Sequence, residues 1–161
     1  MYDLMIIGSG PAGISAALTA KARNLNFIWF GSRALSTKIE KAEKIMNYPG
    51  LPAVTGSEMQ SVFLKQIDDC GITITESQVN SIYDCGGYFA AGADNEIYEA
   101  KAVIMTVGMT TTREIEGEAR LLGCGVSYCA TCDGALYKNK DIAVICASPK
   151  FEDEVTDRKS V

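Results

Sequence analysis

The chain has 161 residues, of which 47% are hydrophobic and 22% charged, and this balance predicts a soluble globular protein with a core of ordinary size. Its net charge of -5, without any basic stripe that could neutralise phosphates, argues against a nucleic-acid partner. No apolar run approaches the length needed to cross a bilayer, so we expect a cytoplasmic protein without membrane contact, whose partners are small molecules and proteins.

A strand, a glycine turn and a helix are predicted at the start of the chain. Residues 2–7 form a short apolar run, Gly8-Ser-Gly-Pro-Ala-Gly13 follows it, and residues 14–20 are mostly small side chains that suit a helix. A glycine-rich turn between a strand and a helix is typical of sites that bind the pyrophosphate of a dinucleotide. The start of the chain therefore predicts a Rossmann-like dinucleotide site.

The three glycines of this turn have different predicted tasks. Gly8 permits the tight turn, Gly10 lets a pyrophosphate approach the backbone, and Gly13 lets the helix pack closely on the strand. The residues between them complete the predicted binding turn: Ser9, Pro11 and Ala12.

A second parallel strand is predicted at Phe27–Phe30, but the acid that usually follows it is missing. In dinucleotide sites a carboxylate at the end of this strand holds the hydroxyls of the adenosine ribose. Here Ser32 either replaces that acid or simply turns the chain, and Glu40 or Glu43 could reach the ribose from further on. Lys38 either meets a cofactor phosphate or belongs to a solvated face.

The middle of the chain predicts a loop, a helix and a run of strands. Residues 47–50, which begin with Asn47, form the loop; a helix follows from about residue 55 to 70, and residues 72–75 form a buried strand. Three further segments, separated by Gly86-Gly87 and Asp94-Asn95, predict a three-stranded meander: residues 79–83, 88–92 and 97–100.

Another buried strand is predicted at residues 102–108. It ends at Gly108, where the backbone could lie close to a cofactor, although a plain strand end fits equally well. From residue 110 to 125 the composition becomes polar, which predicts a domain boundary. We therefore expect an α/β fold with a first domain at residues 1–114 and the start of a second, incomplete α/β domain at 115–161, which includes an apolar strand at 142–146 with Cys146 buried in it.

Two cysteines in the second domain form a candidate redox pair. Cys129 and Cys132 are separated by two residues, so one backbone turn brings both sulfurs within disulfide reach, and a disulfide over so short a loop is reactive. Asp133 follows directly and offers a proton carrier. This matters because the sequence has no histidine.

An iron-sulfur or zinc site is the alternative interpretation of the cysteines. Cys124, Cys129 and Cys132 have the C-x4-C-x2-C spacing of plant-type iron-sulfur proteins, and Cys146 could be a fourth ligand. We favour the redox pair, because Asp133 lies beside it and Cys146 lies in an apolar run, and we expect no metal.

With these motifs in order, the chain resembles the low-molecular-weight thioredoxin reductases. The resemblance rests on the glycine turn, the loop that begins at Asn47, the strand ending at Gly108 and the run Cys129-Ala-Thr-Cys-Asp-Gly134. It implies a Rossmann-like FAD-binding domain, bound FAD, a homodimer, a redox-active disulfide and thioredoxin as the disulfide substrate.

The resemblance also implies roles for individual residues. Cys132 is implied to be the thiol that faces the flavin, Cys129 the thiol that attacks thioredoxin, and Asp133 the general acid. Beside these implied roles, the candidate cofactor contacts outside the glycine turn are Ser32, Lys38, Asn47 and Gly108.

Two departures from this family concern the electron donor. The second nucleotide fingerprint of the family is replaced by Cys146-Ala-Ser-Pro-Lys150, and the usual Gly-Gly-Gln by Leu35-Ser-Thr-Lys38. Proline and side chains cannot replace glycines that must approach a pyrophosphate. The combination of the two departures resembles the ferredoxin-linked flavin thioredoxin reductases, which lack the NADPH fingerprint. An NADPH-dependent reductase is the alternative.

Family members are also much longer, so we expect a truncated chain. A catalytically inactive nucleotide-binding fragment is therefore a further alternative to the enzyme.

Overall fold

The computed structural model describes residues 1–108, 115–122, 124–128 and 134–146. Their helices and strands are, in chain order, β1 (Tyr2–Ile7), α1 (Pro11–Ala22), β2 (Phe27–Phe30), α2 (Thr37–Glu40), α3 (Gly56–Asp69), β3 (Val79–Asp84), β4 (Phe89–Ala93), β5 (Glu96–Met105), α4 (Glu118–Leu121) and a short 3-10 helix (Gly134–Tyr137).

The chain divides into two compact units. Unit 1 comprises Met1–Glu40 and the described residues of Ser57–Arg113, and unit 2 comprises Lys41–Gly56 and the described residues of Glu114–Val161. The division into domains at residues 1–114 and 115–161 stays a prediction.

A mixed sheet forms the centre of unit 1. In the described part of the chain it has five strands in the order β2-β1-β5-β4-β3. Strand β1 pairs in parallel with β2 and β5, while β3, β4 and β5 pair with one another antiparallel. This arrangement confirms the predicted α/β fold, with a parallel Rossmann-like half and a three-stranded meander.

The two halves of the sheet share one strand. We expected separate strands at residues 97–100 and 102–108, but the structure joins them in β5. Ala100 is the junction, since it pairs with Phe89 of β4 on one side and with Tyr2 of β1 on the other. Because the same backbone serves both ladders, no turn is needed between them.

The last part of β5 is also more exposed than predicted. We expected a buried strand there, yet the side chains of Ile104 and Met105 are 40% and 62% exposed. Pairing with β4 ends at Ala100, so among the described residues this segment has a strand neighbour only on its β1 side. The prediction of burial was therefore wrong for this end of the strand.

The prediction of a buried strand at residues 72–75 was wrong for the strand and correct in its burial only for the two isoleucines. Ile72 and Ile74 are buried, but only Thr75 forms a β-bridge, to Phe30, in parallel orientation. Thr75 N donates to Trp29 O at 2.7 Å, and Gly31 N donates to Thr75 O at 3.1 Å. The ladder stops there because Ser77 N turns back to donate to Thr75 O at 2.9 Å.

The core of unit 1 lies on and around the first two strands. Met5 and Ile6 of β1 are fully buried, and Trp29 and Phe30 of β2 are 1% exposed. The ring of Tyr98 packs edge-on against Phe30, with the ring centroids 5.0 Å apart. The Tyr98 hydroxyl donates to Glu96, and this hydrogen bond raises the pKa of Tyr98.

The apolar run near the end of the described chain forms no strand. We expected a buried strand at residues 142–146, but no regular element occurs there, and Ile142, Val144 and Ile145 are 55%, 51% and 73% exposed. Cys146 is likewise exposed, so its interpretation as a buried strand thiol was wrong. Within the described ranges, no strand pairs with this run that could bury it.

None of the helices in the described ranges is long and apolar enough to cross a membrane.

Candidate functional site

The turn between β1 and α1 is closed tightly at its two outer glycines. Gly8 has a φ of +113°, and a Cβ atom there would lie 2.3 Å from Thr106 O. A Cβ atom on Gly13 would lie 2.0 Å from Gly8 O. Neither position has room for a side chain, so both glycines are required for the turn and for the close packing of α1 against it.

The middle glycine of the turn differs, because it faces open space. Gly10 has a φ of -71°, which any residue can adopt, and no atom lies within 4 Å of a Cβ atom built on it. It is the N-cap residue of α1 and has no side chain that could cap the helix. The backbone is therefore accessible at the point where the predicted pyrophosphate would approach.

The start of α1 has the features of an anion site. Pro11, the first helical residue, has no N–H group, and Ile14 N donates to Gly10 O at 3.0 Å. Between them, the amides of Ala12 and Gly13 lie in the first turn, where helix N–H groups lack partners within the helix. No acidic residue occurs in this turn, so nothing there repels a negative charge.

Ser9 ties the turn to the end of β2. It is 7% exposed, its Oγ donates to Leu35 O at 3.0 Å, and the same Oγ accepts from Ser32 N at 3.0 Å. A Cβ atom on Gly31 would lie 2.5 Å from Ser9 Cβ. The Ser9 hydroxyl is thus used within the protein, where it fixes the position of the β2 end beside the glycine turn.

Two residues that the sequence reasoning missed also hold this turn. Trp29 Nε1 donates to Gly8 O at 2.9 Å. Thr106 Oγ1 lies 2.9 Å from Ile7 O and 3.0 Å from Gly8 O. Both residues lie in runs predicted as strands from their apolar character, and that pattern carries no signal for these hydrogen bonds.

The end of β2 brings together polar groups from three parts of unit 1. Ser32 Oγ accepts from Ala34 N at 3.1 Å, so its hydroxyl stabilises the chain turn. Arg33 N donates to Glu76 Oε1 at 2.8 Å, and the Arg33 guanidinium contacts both carboxylate oxygens of Asp68 at 3.0 Å. Glu76, which the sequence reasoning did not single out, is thereby placed beside the position where an acid was expected.

The other predicted cofactor-binding residues of unit 1 are exposed. Lys38 is an exposed residue of α2, and Glu40 ends that helix. Gly108 follows β5 with a φ of +69° and has open space at its Cβ position. The structure thus leaves Gly108 accessible, as a backbone contact would require.

Asn47 lies in unit 2, in a loop that closes on itself. Ile45 N donates to Val54 O at 2.7 Å in an antiparallel bridge, and Gly50 has a φ of +81°. Asn47 is exposed between these points. Its contact with a cofactor stays a prediction.

The predicted redox residues Cys129, Cys132 and Asp133 lie outside the described residues. Of the two other cysteines in the iron-sulfur alternative, Cys124 and Cys146 are both exposed. Cys124 follows α4, and its Sγ lies 3.7 Å from Arg120 O. The preference for a redox pair over a metal site therefore stays a prediction.

Comparison with known proteins identifies the family. The family model of the pyridine nucleotide-disulphide oxidoreductases matches residues 2–149. A thioredoxin reductase of Bacillus subtilis (strain 168) is 32% identical over 146 residues, which are 90% of this chain and 46% of that protein.

Two solved structures are similar over 99% of this chain. A ferredoxin-flavin thioredoxin reductase from Clostridium acetobutylicum is 44% identical, with a TM-score of 0.68, and 55% of that chain is covered. The thioredoxin reductase from Streptococcus pyogenes MGAS5005 is 32% identical, with a TM-score of 0.83, and 53% of that chain is covered. The chain thus spans about half the length of the relatives that it matches.

Proposed function

The chain belongs to the pyridine nucleotide-disulphide oxidoreductase family, and on this premise we propose that it is part of a flavin-dependent thioredoxin-disulfide reductase. FAD is the cofactor shared by this family and its thioredoxin reductase members. The observation that carries the proposal is the open backbone at Gly10, at the start of α1 and between two glycines with no room for a side chain. Such a turn accepts a pyrophosphate through backbone N–H groups.

The residues of the turn fit this group in a defined way. The amides of Ala12 and Gly13 would bind the pyrophosphate, while Ser9 holds the turn through its hydrogen bonds to Leu35 and Ser32. Asn47 and Gly108 are proposed as further contacts on the strength of the family resemblance, and Lys38 as a contact of a cofactor phosphate because its positive charge is exposed.

The proposed chemistry is thiol-disulfide exchange. Once reduced by the electron donor, bound FAD would supply the electron pair that opens the Cys129–Cys132 disulfide. Cys132 is the sulfur on the flavin side, Asp133 donates the proton that the departing thiolate needs, and the Cys129 thiolate attacks the disulfide of thioredoxin. These roles rest on the motif and on the relatives, and a homodimer is proposed on the same basis.

We propose ferredoxin as the electron donor. Support comes from the sequence Cys146-Ala-Ser-Pro-Lys150, which has no glycine for the pyrophosphate of a nicotinamide dinucleotide. The similar protein from Clostridium acetobutylicum is named as a ferredoxin-flavin thioredoxin reductase, whereas the relatives from Bacillus subtilis and Streptococcus pyogenes are named only as thioredoxin reductases. Lys138 and Lys140, both exposed beside the 3-10 helix, would face an acidic partner.

Titration of the purified chain with FAD, followed by flavin fluorescence, tests the cofactor. We expect Gly10→Leu to weaken FAD binding by on the order of 100-fold, because the side chain blocks two charge-assisted hydrogen bonds worth about 1.5 kcal/mol each. The thermal unfolding temperature should stay unchanged, since the φ of Gly10 is ordinary and its surroundings are open.

Gly125→Leu is the matched control for this titration. The nearest atoms to a Cβ at Gly125 are at 3.9 Å, and it lies in unit 2, outside the glycine turn. This variant should bind FAD like the unmodified chain. Equal FAD binding by Gly10→Leu and the unmodified chain would contradict the proposed site.

Anaerobic reduction of the FAD-loaded chain tests the donor. Reduced ferredoxin should bleach the flavin absorption rapidly, while NADPH and NADH should not, because the second pyrophosphate site lacks its glycines. Rapid bleaching by NADPH would reject ferredoxin as the specific donor and leave the flavin proposal intact.

A further inference from the structure

The end of β2 lacks the carboxylate that dinucleotide sites place there, but the fold supplies one from another segment. Phe30 is followed by Gly31-Ser32-Arg33, none of which is acidic. Glu76 is adjacent to this end of β2, although it lies 43 residues after Arg33 in sequence. Its position follows from the single bridge that the neighbouring segment makes with β2.

That bridge fixes the direction in which Glu76 leaves the sheet. Thr75 is bridged in parallel to Phe30, with Thr75 N bonded to Trp29 O and Gly31 N bonded to Thr75 O. Glu76 follows the bridged residue Thr75 just as Gly31 follows Phe30. Because β1 and β2 are parallel, Glu76 lies at the end of the sheet where β1 leads into its glycine turn. Ligands of open parallel sheets bind outside the carboxyl ends of the strands.

The Glu76 carboxylate is anchored but accessible. Its Oε1 accepts from Arg33 N at 2.8 Å, and the residue is exposed, as is Ser32 beside it. A carboxylate has two oxygens and about four acceptor positions, so one backbone bond leaves capacity for hydroxyl donors. One oxygen orients the group while the other can accept from a ligand.

The charge of Arg33 is paired with a different carboxylate. Its guanidinium forms an ion pair with Asp68, with 3.0 Å to each oxygen. An arginine near the end of β2 is typical of sites that accept a 2′-phosphate, whereas a carboxylate there accepts ribose hydroxyls. With Asp68 holding Arg33, the group presented beside Ser32 is the Glu76 carboxylate.

We propose that Glu76 is the ribose-binding acid of this site, accepting hydrogen bonds from the adenosine 2′- and 3′-hydroxyls. The inference rests on the proposed FAD function, since it concerns the adenosine half of the same ligand. A carboxylate at this position would also favour ribose hydroxyls over a 2′-phosphate, because it attracts the former and repels the latter.

Calorimetric titration of the chain with ADP and with 2′,3′-dideoxy-ADP tests the inference. The unmodified chain should bind ADP on the order of 100-fold more tightly, because the dideoxy compound lacks two hydrogen bonds to a charged acceptor, each worth about a factor of ten. In Glu76→Ala the ratio should fall to about one. In Glu76→Gln it should fall partway, while the amide oxygen keeps the bond from Arg33 N, so that the fold is preserved.

Asp84→Asn is the matched control variant. Asp84 is also an exposed carboxylate that accepts a backbone N–H, from Gly86 at 2.9 Å, but at the β3–β4 turn. It should leave the ratio unchanged.

The outcomes separate this inference from the proposed function. Suppose that the unmodified chain binds FAD and ADP, and that Glu76→Ala and Glu76→Gln both keep its full preference for ADP over 2′,3′-dideoxy-ADP. Glu76 is then only a structural acceptor, and this inference is overturned while the proposed function stands. If the unmodified chain binds neither FAD nor ADP, the proposed function is overturned and the inference with it.

Discussion

Two apolar runs of this chain have similar composition and opposite outcomes. Tyr2–Ile7 forms β1, where Met5 and Ile6 are fully buried, whereas residues 141–146 form no strand and leave Ile145 73% exposed. Strand β1 has parallel partners on both sides, β2 and β5, while in the described part of the chain no strand pairs with the second run. An apolar run thus does not form a buried strand by itself, because a buried strand needs neighbouring segments along both of its edges and on both of its faces.

The first prediction places the same substitution in both runs. Ile6→Asp should destabilise the protein by at least about 4 kcal/mol, because an unpaired charge would be buried in the sheet. Such a loss is a large part of the stability of an ordinary domain. Ile145→Asp should change stability by less than about 0.5 kcal/mol, since the side chain is exposed. Urea unfolding followed by circular dichroism measures both.

The two variants serve as controls for each other. If Ile145→Asp were as destabilising as Ile6→Asp, the second run would be buried in the folded protein, contrary to the structure.

The sequence predicted the parallel half of the sheet well because its signals are local. Tyr2–Ile7 and Phe27–Phe30 are short apolar runs, and the glycines between β1 and α1 have a known physical role at each position. The meander followed from its two turn signals, which have positive φ values at Gly86, Gly87, Asp94 and Asn95. Each of these signals lies within a few residues of the structure that it specifies.

Contacts between distant segments could not be predicted in the same way. The strand expected at residues 72–75 is reduced to one bridge at Thr75, and β5 serves two ladders through Ala100, because pairing depends on where other segments end. The carboxylate at the end of β2 was sought in Glu40 and Glu43, which follow β2 in sequence, whereas the structure brings Glu76 there.

The second prediction concerns the hydrogen bonds that hold the end of β1 to the residue after β5 at the glycine turn. Thr106→Val removes the hydroxyl that bonds Ile7 O and Gly8 O, and should cost about 1 kcal/mol of stability. Thr106→Ser keeps the hydroxyl and should recover most of that cost. Thermal unfolding of the three proteins measures the effect. A loss in Thr106→Ser with none in Thr106→Val would show that the methyl group, and not the hydroxyl, is responsible.

The smallest predicted effect compares the acids of the two runs, Asp3 and Asp141. Asp3 Oδ1 accepts from Lys101 Nζ at 2.7 Å, and Oδ2 accepts from Asn26 N at 3.1 Å, whereas no hydrogen bond or ion pair involves Asp141 among the described residues. The hydrogen bond from Lys101, then that from Asn26, lowers the pKa of Asp3 below its usual 3.8. A lowered pKa in the folded state means that Asp3 contributes stability above the unfolded-state value, and that this contribution is lost as the pH falls through the folded-state value.

Asp3→Asn should therefore lower the unfolding temperature slightly at about pH 6, and the difference from the unmodified protein should disappear in acid, below the folded-state pKa of Asp3. The effect is small because the pair is exposed, and about 1 M salt should reduce it further by screening. Asp141→Asn should follow the unmodified protein throughout the pH range. A difference for Asp3→Asn that persisted unchanged into acid would show that the carboxylate charge is not the cause, and would leave the hydrogen-bond geometry at the start of β1 as the remaining explanation.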